Sequence, residues 1–149
     1  MMGYFDRDIF REAGRTAALK LRGEAANLTG TEIIDREQDA PAFDPEKDYS
    51  NWPAKAPVQD EGQVWLLLQP YNAAHYAGRP PTLRALWGLA HTKNPAKAKP
   101  WVDAYGTSGM YMLGECYADE AGVVWRCKND NVVFPASVQP DDWEAVTWP

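Results

Sequence analysis

The chain has few of the residues from which catalytic, metal and nucleic-acid sites are usually built. Among its 149 residues are two cysteines and two histidines, and its 21 Asp and Glu outnumber its 15 Lys and Arg, for a net charge of −6. Binding to the phosphates of nucleic acid requires clustered Lys and Arg. The basic cluster of Lys93, Lys97 and Lys99 lies in a stretch with the composition of a linker. We therefore expect no nucleic-acid partner.

Long apolar segments are also missing. The sequence contains no run of about 18 apolar residues, so we expect no segment that spans a membrane. The N-terminal residues MMGYFDRD carry charges where a signal peptide has its apolar core. We therefore expect no signal peptide.

The histidines and cysteines are poorly placed for chemistry. His75 and His91 are 16 residues apart with no cysteine nearby, whereas metal ligands usually occur in pairs at short spacing. Cys116 and Cys127 fall in predicted strands, where burial would leave their thiols unreactive. The sequence predicts no enzyme, no cofactor and no metal site.

Aromatic residues and turn formers, by contrast, are abundant. The chain has seven tryptophans, 12 prolines and 11 glycines, and 45% of its residues are hydrophobic. This composition is that of a folded chain rather than a disordered one. The many turn formers favour short strands, and the length suits one ordinary domain or two small ones.

A repeat organises the second half of the chain. Residues 52–65 align without a gap with residues 112–125, at an offset of 60 residues, and each segment ends in Gly-x-Val-Trp. A proline-containing loop and a closing tryptophan follow each copy, at Trp87 and Trp143. A period of this length indicates two copies of one small supersecondary unit.

Each copy predicts a β-hairpin. Residues 56–59 and 64–68 flank a turn at 60–62, and residues 114–118 and 123–128 flank a turn at 119–122. Alternation along the second hairpin places Val123, Trp125 and Cys127 on one face, which we expect to be its core face.

The length of the second turn decides whether the two cysteines meet. A two-residue turn at Ala121-Gly122 would place Cys116 opposite Cys127. A four-residue turn from Asp119 to Gly122 would place Cys116 opposite Trp125. A disulfide needs the facing geometry, and we favour reduced, packed cysteines.

The N-terminal part of the chain predicts two helices. Over residues 5–28, apolar side chains recur at helical spacing and form one stripe: Phe5, Ile9, Ala13, Ala17, Leu21, Ala25 and Leu28. Gly30 is expected to end this helix, and Thr29 to Glu32 offers a capping box for a second helix over residues 31–38. The stripe packs either on its own chain or on copies of itself. We expect it to form a homo-oligomer.

These elements predict an α+β protein, with an N-terminal helical segment followed by two small antiparallel β modules, each a hairpin or three short strands rich in aromatics. The expected divisions are a helical anchor or oligomerisation segment at 1–40, a first module at 41–92, a linker at 93–103 and a second module at 104–149.

Both copies resemble the small chitin-binding carbohydrate-binding modules of families 5 and 12. That family reads aromatic-x-x-Gly-x-x-Val-x-x-x-Gly-x-x-Tyr/Trp-x-Cys, then a polar loop with an aromatic and a proline, then a closing Trp. The second copy matches at Tyr111, Gly114, Tyr117, Gly122, Trp125, Cys127, Asn131, Phe134, Pro135 and Trp143. The first matches at Val58, Gly62, Trp65, Gln69, Pro81 and Trp87. It departs from the family at two positions: this chain has Ala54 where the family has a glycine, and Leu67 where the family has a cysteine.

The layout of the whole chain is similar to that of short tail-associated proteins of phages and prophages. In those proteins a helical leader precedes a first module, and a linker with Pro-Trp-Val, here Pro100-Trp101-Val102, leads to a second. The resemblance implies a tail or virion accessory protein that binds host surface glycan, with an N-acetylglucosamine polymer as one candidate. It places the protein in the virion, or in the bacterial cytoplasm before assembly.

The resemblance also suggests which residues would touch a sugar. In the family the exposed ring stands in the polar loop just before the proline, which here is Phe134, with Asn131 in the same loop. The corresponding loop of the first copy holds Tyr76, with His75 and Arg79 as further candidates. We expect four tryptophans to form the small cores of the modules instead: Trp65, Trp87, Trp125 and Trp143.

The sequence is therefore compatible with two functions. The first is a non-catalytic protein that binds glycan by aromatic stacking. The second is a structural component that contacts other virion proteins and binds no sugar, with Tyr76 and Phe134 merely covering the edges of the cores.

Overall fold

A computed structural model describes residues 4–147, with side chains from Glu12 onward. The chain forms an N-terminal helical region followed by a three-stranded and a four-stranded sheet. This architecture confirms the predicted α+β class. Within the described part of the chain, no helix combines the length and apolar character needed to cross a membrane.

The helical region consists of α1 (Tyr4–Glu24), a 3-10 turn (Ala25–Asn27) and α2 (Gly30–Asp35). The capping box is confirmed: Glu32 N donates to Thr29 Oγ1 over 3.2 Å, and Thr29 N donates to Glu32 Oε1 over 3.0 Å. Both helices are shorter than expected. Gly30 begins α2 instead of ending α1, because Thr29 must be extended to cap the second helix.

Among the side chains of α1 that are described, from Glu12 onward, those of the last turns pack against the rest of the protein, and the stripe residues Phe5 and Ile9 lie outside this range. Leu21 and Ala25 are fully buried, whereas residues 12–16 and Leu19 are exposed. Ala25 joins a small core that links the helices to the first sheet, formed by Ala25, Ile33, Ile34, Val64 and Ala90. The helix is therefore anchored at its C-terminal end, and residues 12–16 stand free of the chain's own core.

The first sheet contains β1 (Pro57–Asp60), β2 (Gln63–Leu67) and β3 (Trp87–Leu89), all antiparallel, in the order β1-β2-β3. A two-residue turn, Glu61-Gly62, joins β1 to β2, with φ of 52° and 76°. Two successive positive φ values are the mark of the type I′ turn that suits a tight hairpin. Trp87, the closing tryptophan of the first copy, begins the third strand.

The second sheet contains β4 (Lys99–Pro100), β5 (Cys116–Ala118), β6 (Val124–Cys127) and β7 (Trp143–Ala145). Strands β5, β6 and β7 are antiparallel and repeat the arrangement of the first sheet. Strand β4 differs, since it runs parallel to β5 at the edge. The segment 93–103, expected as a linker between modules, thus contributes a strand to the second sheet.

The hairpin between β5 and β6 has neither of the registers considered from the sequence. Cys116 lies opposite Arg126, and Tyr117 opposite Trp125. The reason is a three-residue loop, in which Asp119 N donates to the Val123 carbonyl over 2.9 Å and Gly122 has a φ of 84°. The two cysteines point to opposite faces of the sheet, and both thiols are free and buried.

The core of each sheet is built around its closing tryptophan. Trp87 lies opposite Leu67 and Trp143 opposite Cys127, so the two tryptophans hold equivalent registers. Trp65 and Trp87 are fully buried and Trp143 nearly so, but Trp125 is only half-buried.

The expected core face of the second hairpin is correct in part. Cys127 is buried on it, but Val123 is 38% exposed because it belongs to the turn and not to the strand. Val124, which strand alternation places on the opposite face, is also buried. The turn Pro95–Lys97 packs against β6 and covers that side of the sheet.

The two sheets are in direct contact. Gln63 Nε2 donates to the Pro100 carbonyl over 2.9 Å, and Val102 packs against the core of the first sheet. At the same junction the His91 ring stacks on Tyr111 with 3.7 Å between ring centroids. The two sheets and the helices that pack against the first one therefore form one contiguous body.

Candidate functional site

An open groove of about 880 Å³ lies at the hairpin end of the second sheet. Tyr117 and Trp125 stand directly opposite each other on neighbouring strands, so their side chains share the face of the sheet that lines it. Trp101 approaches from the segment after β4. The remaining lining residues are Pro100, Ala118, Asp119, Glu120, Ala121, Pro135, Ala136 and Ser137. We call this the Trp101–Trp125 groove.

Trp101 is held in place by the aromatic core behind it. Its ring stacks on Tyr111, with centroids 4.9 Å apart and planes at 12°, and it meets Tyr117 edge-on at 5.0 Å. The indole Nε1 donates to Asp103 Oδ1 over 2.7 Å. The ring is half-buried and cannot rotate without breaking these contacts, so it offers the groove a fixed aromatic surface.

Trp125 is fixed by the turn of its own hairpin. Its Nε1 donates to Asp119 Oδ2 over 2.9 Å. The other carboxylate oxygen of Asp119 accepts from the backbone N of Ala121 and of Val123, over 3.0 and 2.9 Å. The hydrogen bond from Trp125, reinforced by these backbone donors, lowers the pKa of Asp119. The side chain is therefore an anion at neutral pH that orients the indole and rigidifies the turn.

The equivalent tryptophan of the first sheet is closed off from solvent. Trp65, the counterpart of Trp125, is fully buried and donates from Nε1 to the Asp60 carbonyl over 3.2 Å. The guanidinium carbon of Arg84 lies 5.2 Å from its ring centroid. Arg84 is itself held across the junction, where Nη1 donates to the Asp103 carbonyl over 2.9 Å. Of the two repeat copies, the second alone presents this tryptophan to solvent.

The candidate ligand residues of the first copy lie on one exposed stretch. His75 ends a 3-10 turn and is exposed, and Tyr76 is 55% exposed with its ring edge-on to Tyr71 at 5.5 Å. Arg79 is also exposed, but its guanidinium is bound by the buried carboxylate of Asp60. That ion pair ties the loop to the end of β1 and takes up the Nε and Nη2 side of the Arg79 guanidinium, which leaves its Nη1 donors for a ligand.

The two candidate ligand residues of the second copy lie at different places on the surface. Phe134 is 47% exposed beside Pro135, which lines the groove, and its carbonyl accepts from Trp143 Nε1 over 2.9 Å. Asn131, with a φ of 60°, lines a different and smaller cavity of about 360 Å³ that also contains His91 and Glu115. In the described chain none of the five predicted ligand residues lines the Trp101–Trp125 groove, so their sugar contacts remain predictions.

Both cysteines and one of the two histidines, His91, are buried. Burial raises the pKa of both Cys116 and Cys127 and lowers the pKa of His91 to about 4. Within residues 12–147 no three His, Cys, Asp or Glu side chains gather where a metal ion would need them. What the groove offers is a concave, mostly apolar surface with a few polar groups, which is the composition of a binding site.

Comparison with profiles of known protein families gives no match to this chain, and comparison with curated protein sequences gives none either. The sequence predicts Trp125 as a core residue and places Trp101 in a linker. The one local signal of the groove was Asp119, a residue type that often bonds the backbone of its own turn, placed six residues before Trp125.

Proposed function

We propose that this protein is a non-catalytic glycan-binding protein and that the Trp101–Trp125 groove is its binding site. The observation that carries the proposal is the pair of half-buried indole rings, each held by a carboxylate, in one open groove. Sugars present flat C–H surfaces that pack on aromatic rings, while their hydroxyls bond to polar groups at the edge. Rings that are already oriented lose little conformational entropy on binding.

The resemblance to tandem carbohydrate-binding modules supports the same function. Its tail-protein layout further suggests a virion accessory protein that acts at the host surface. A shallow groove binds a single sugar chain weakly, so useful affinity would come from several copies acting together. Residues 12–16 of α1, which are exposed, are well placed to join those copies.

A pull-down on insoluble chitin and on peptidoglycan tests the proposal. Wild-type protein should be retained, and Trp125→Ala should reduce affinity by about tenfold, or about 1.4 kcal/mol, because it removes one stacking surface. Tyr105→Ala is the matched control, since Tyr105 is a 60% exposed aromatic that does not line the groove. Near-ultraviolet circular dichroism should show that both variants keep the wild-type fold.

Retention that survives Trp125→Ala but is lost in Tyr76→Ala or Phe134→Ala would move the site to the loops predicted from the sequence. Equal retention of all variants would contradict both placements.

A second candidate function is assembly with other virion proteins. Exposed large side chains at several places favour it: Leu19, Leu68, Tyr76, Tyr105, Leu113, Phe134 and Val138. Absence of retention on every glycan tested would favour this function.

A further inference from the structure

We infer that the Trp101–Trp125 groove selects glycans with free amino groups, such as stretches of β-linked glucosamine, over neutral ones and excludes acidic ones. This inference rests on the proposed glycan-binding function and specifies its ligand. It follows from which hydrogen-bonding groups the groove still has available.

The two indole N–H groups of the groove are already used. Trp101 donates to Asp103 over 2.7 Å and Trp125 donates to Asp119 over 2.9 Å. Each indole has one donor and no acceptor. The two indole rings can therefore stack on a sugar but cannot donate a hydrogen bond to a carboxylate, sulfate or phosphate on it.

The remaining polar groups of the groove are mainly acceptors. Asp119 accepts three hydrogen bonds at its side chain and retains further acceptor capacity, since a carboxylate has about four lone-pair sites. Glu120 lines the groove beside it and is exposed, and Ser137 adds an exposed hydroxyl. Among the residues that the structure describes, no Lys or Arg lines the groove.

Such a site discriminates by charge. An ammonium group on a bound hexosamine would donate to Asp119 or Glu120 with charge assistance, which strengthens a hydrogen bond. An acidic sugar would meet two carboxylates and no cation, and like-charge contacts disfavour binding. The net charge of −6 adds a weaker repulsion of acidic polymers over longer range. An N-acetylated sugar keeps the stacking and loses the ion pair.

Calorimetric titration with three oligosaccharides of equal length tests the inference: a glucosamine hexamer, an N-acetylglucosamine hexamer and a uronate hexamer. The first two share one backbone and differ only in acetylation. At a pH where the amines are protonated, the glucosamine hexamer should bind about two- to fivefold more tightly for each ion pair formed. That advantage should shrink at high salt, because exposed ion pairs are screened.

Glu120→Gln separates the charge effect from stacking. It should reduce the advantage of the glucosamine hexamer over the acetylated hexamer, because the ammonium loses its charged partner. Glu144→Gln is the matched control, because Glu144 is an exposed carboxylate of the same sheet that does not line the groove.

The three outcomes are distinct. Binding of the acetylated hexamer with no gain for the amine form, or equal binding of the uronate hexamer, overturns the charge preference and leaves the glycan-binding function standing. Binding of none of the three overturns both. A gain for the amine form that Glu120→Gln reduces and Glu144→Gln does not supports the inference.

Discussion

The guanidinium carbon of Arg22 lies 3.7 Å from the centroid of the Trp52 ring. This contact joins the last turns of α1 to the irregular segment before the first sheet. Trp52 itself packs edge-on against Tyr49, a fully buried member of the first core, with 4.6 Å between centroids. Burial lowers the pKa of Arg22, which indicates that the cation is partly desolvated at this contact.

Arg22→Ala should therefore loosen α1 from the body. We expect the free energy of unfolding to fall by about 1–2 kcal/mol, because a desolvated cation–π contact and the packing of the side chain are lost together. Urea denaturation measures the change. Arg15→Ala, in an exposed part of the same helix, should leave the urea midpoint unchanged. Equal effects of the two substitutions would show that the Trp52 contact does not anchor the helix.

The exposed turns of α1 are expected to hold the oligomer together. Removal of residues 1–16 leaves Leu21 and Ala25 in the core. It should lower the number of chains per particle in solution without unfolding the sheets. Light scattering after gel filtration measures the mass, and circular dichroism follows the fold. A truncated protein with the same number of chains as the full-length one would refute this role for α1.

His91 should make the protein less stable in mild acid. Burial lowers the pKa of this residue to about 4 in the folded state, against an ordinary value of 6.5. Its Nε2 donates to the Gly109 carbonyl over 2.7 Å, so the neutral ring keeps a hydrogen-bonding partner.

Between those pH values the unfolded chain binds a proton at this histidine and the folded chain does not. Stability is therefore lost as pH falls from about 6.5 to about 4, by up to about 3 kcal/mol. Thermal unfolding across this range should show the loss. His91→Gln should flatten the profile, and His75→Gln, at an exposed histidine, should reproduce the wild-type profile. Identical slopes for His91→Gln and wild type would disprove the coupling.

The two equivalent tryptophans of the repeat should respond differently to truncation. Trp65→Ala empties a fully buried site and should cost about 3–5 kcal/mol of stability. Trp125→Ala removes a half-buried ring and should cost less than half as much, while it should be the variant with weaker glycan binding. Urea denaturation of both variants gives the comparison. Equal losses of stability would indicate that Trp125 is a core residue, as its sequence context first suggested.

The features that could be predicted from the sequence are local. The capping box between Thr29 and Glu32 needs only a Thr and a Glu three residues apart. The hairpin positions follow from turn formers beside apolar residues, and both Gly62 and Gly122 take the positive φ that their turns require. The α+β class and the repeated three-strand unit follow from the same short-range signals.

The short-range sequence signals did not determine the lengths of the two turns. Gly62 is the last residue of a two-residue turn and Gly122 the last of a three-residue loop, although their flanking sequences are alike. A glycine with positive φ suits both turn types, and the side chains that pack on each strand choose between them. The ungapped repeat alignment is therefore correct after each turn and shifted by one residue before the second. Neither Cys127 nor Trp125, the two partners considered from the sequence, lies opposite Cys116, and the favoured reduced, buried cysteines are confirmed.

Composition and spacing alone determined the order of the helical region and the two hairpin units, because propensities, caps and turn chemistry act over a few neighbouring residues, whereas strand β4 depends on pairing with the distant β5. The binding groove was decided by tertiary structure. Trp65 and Trp125 occupy the same register of the same repeat, yet Arg84 lies over the first and the groove opens beside the second. Whether a tryptophan is core or surface depends on residues distant along the chain, and packing alone brings those residues together.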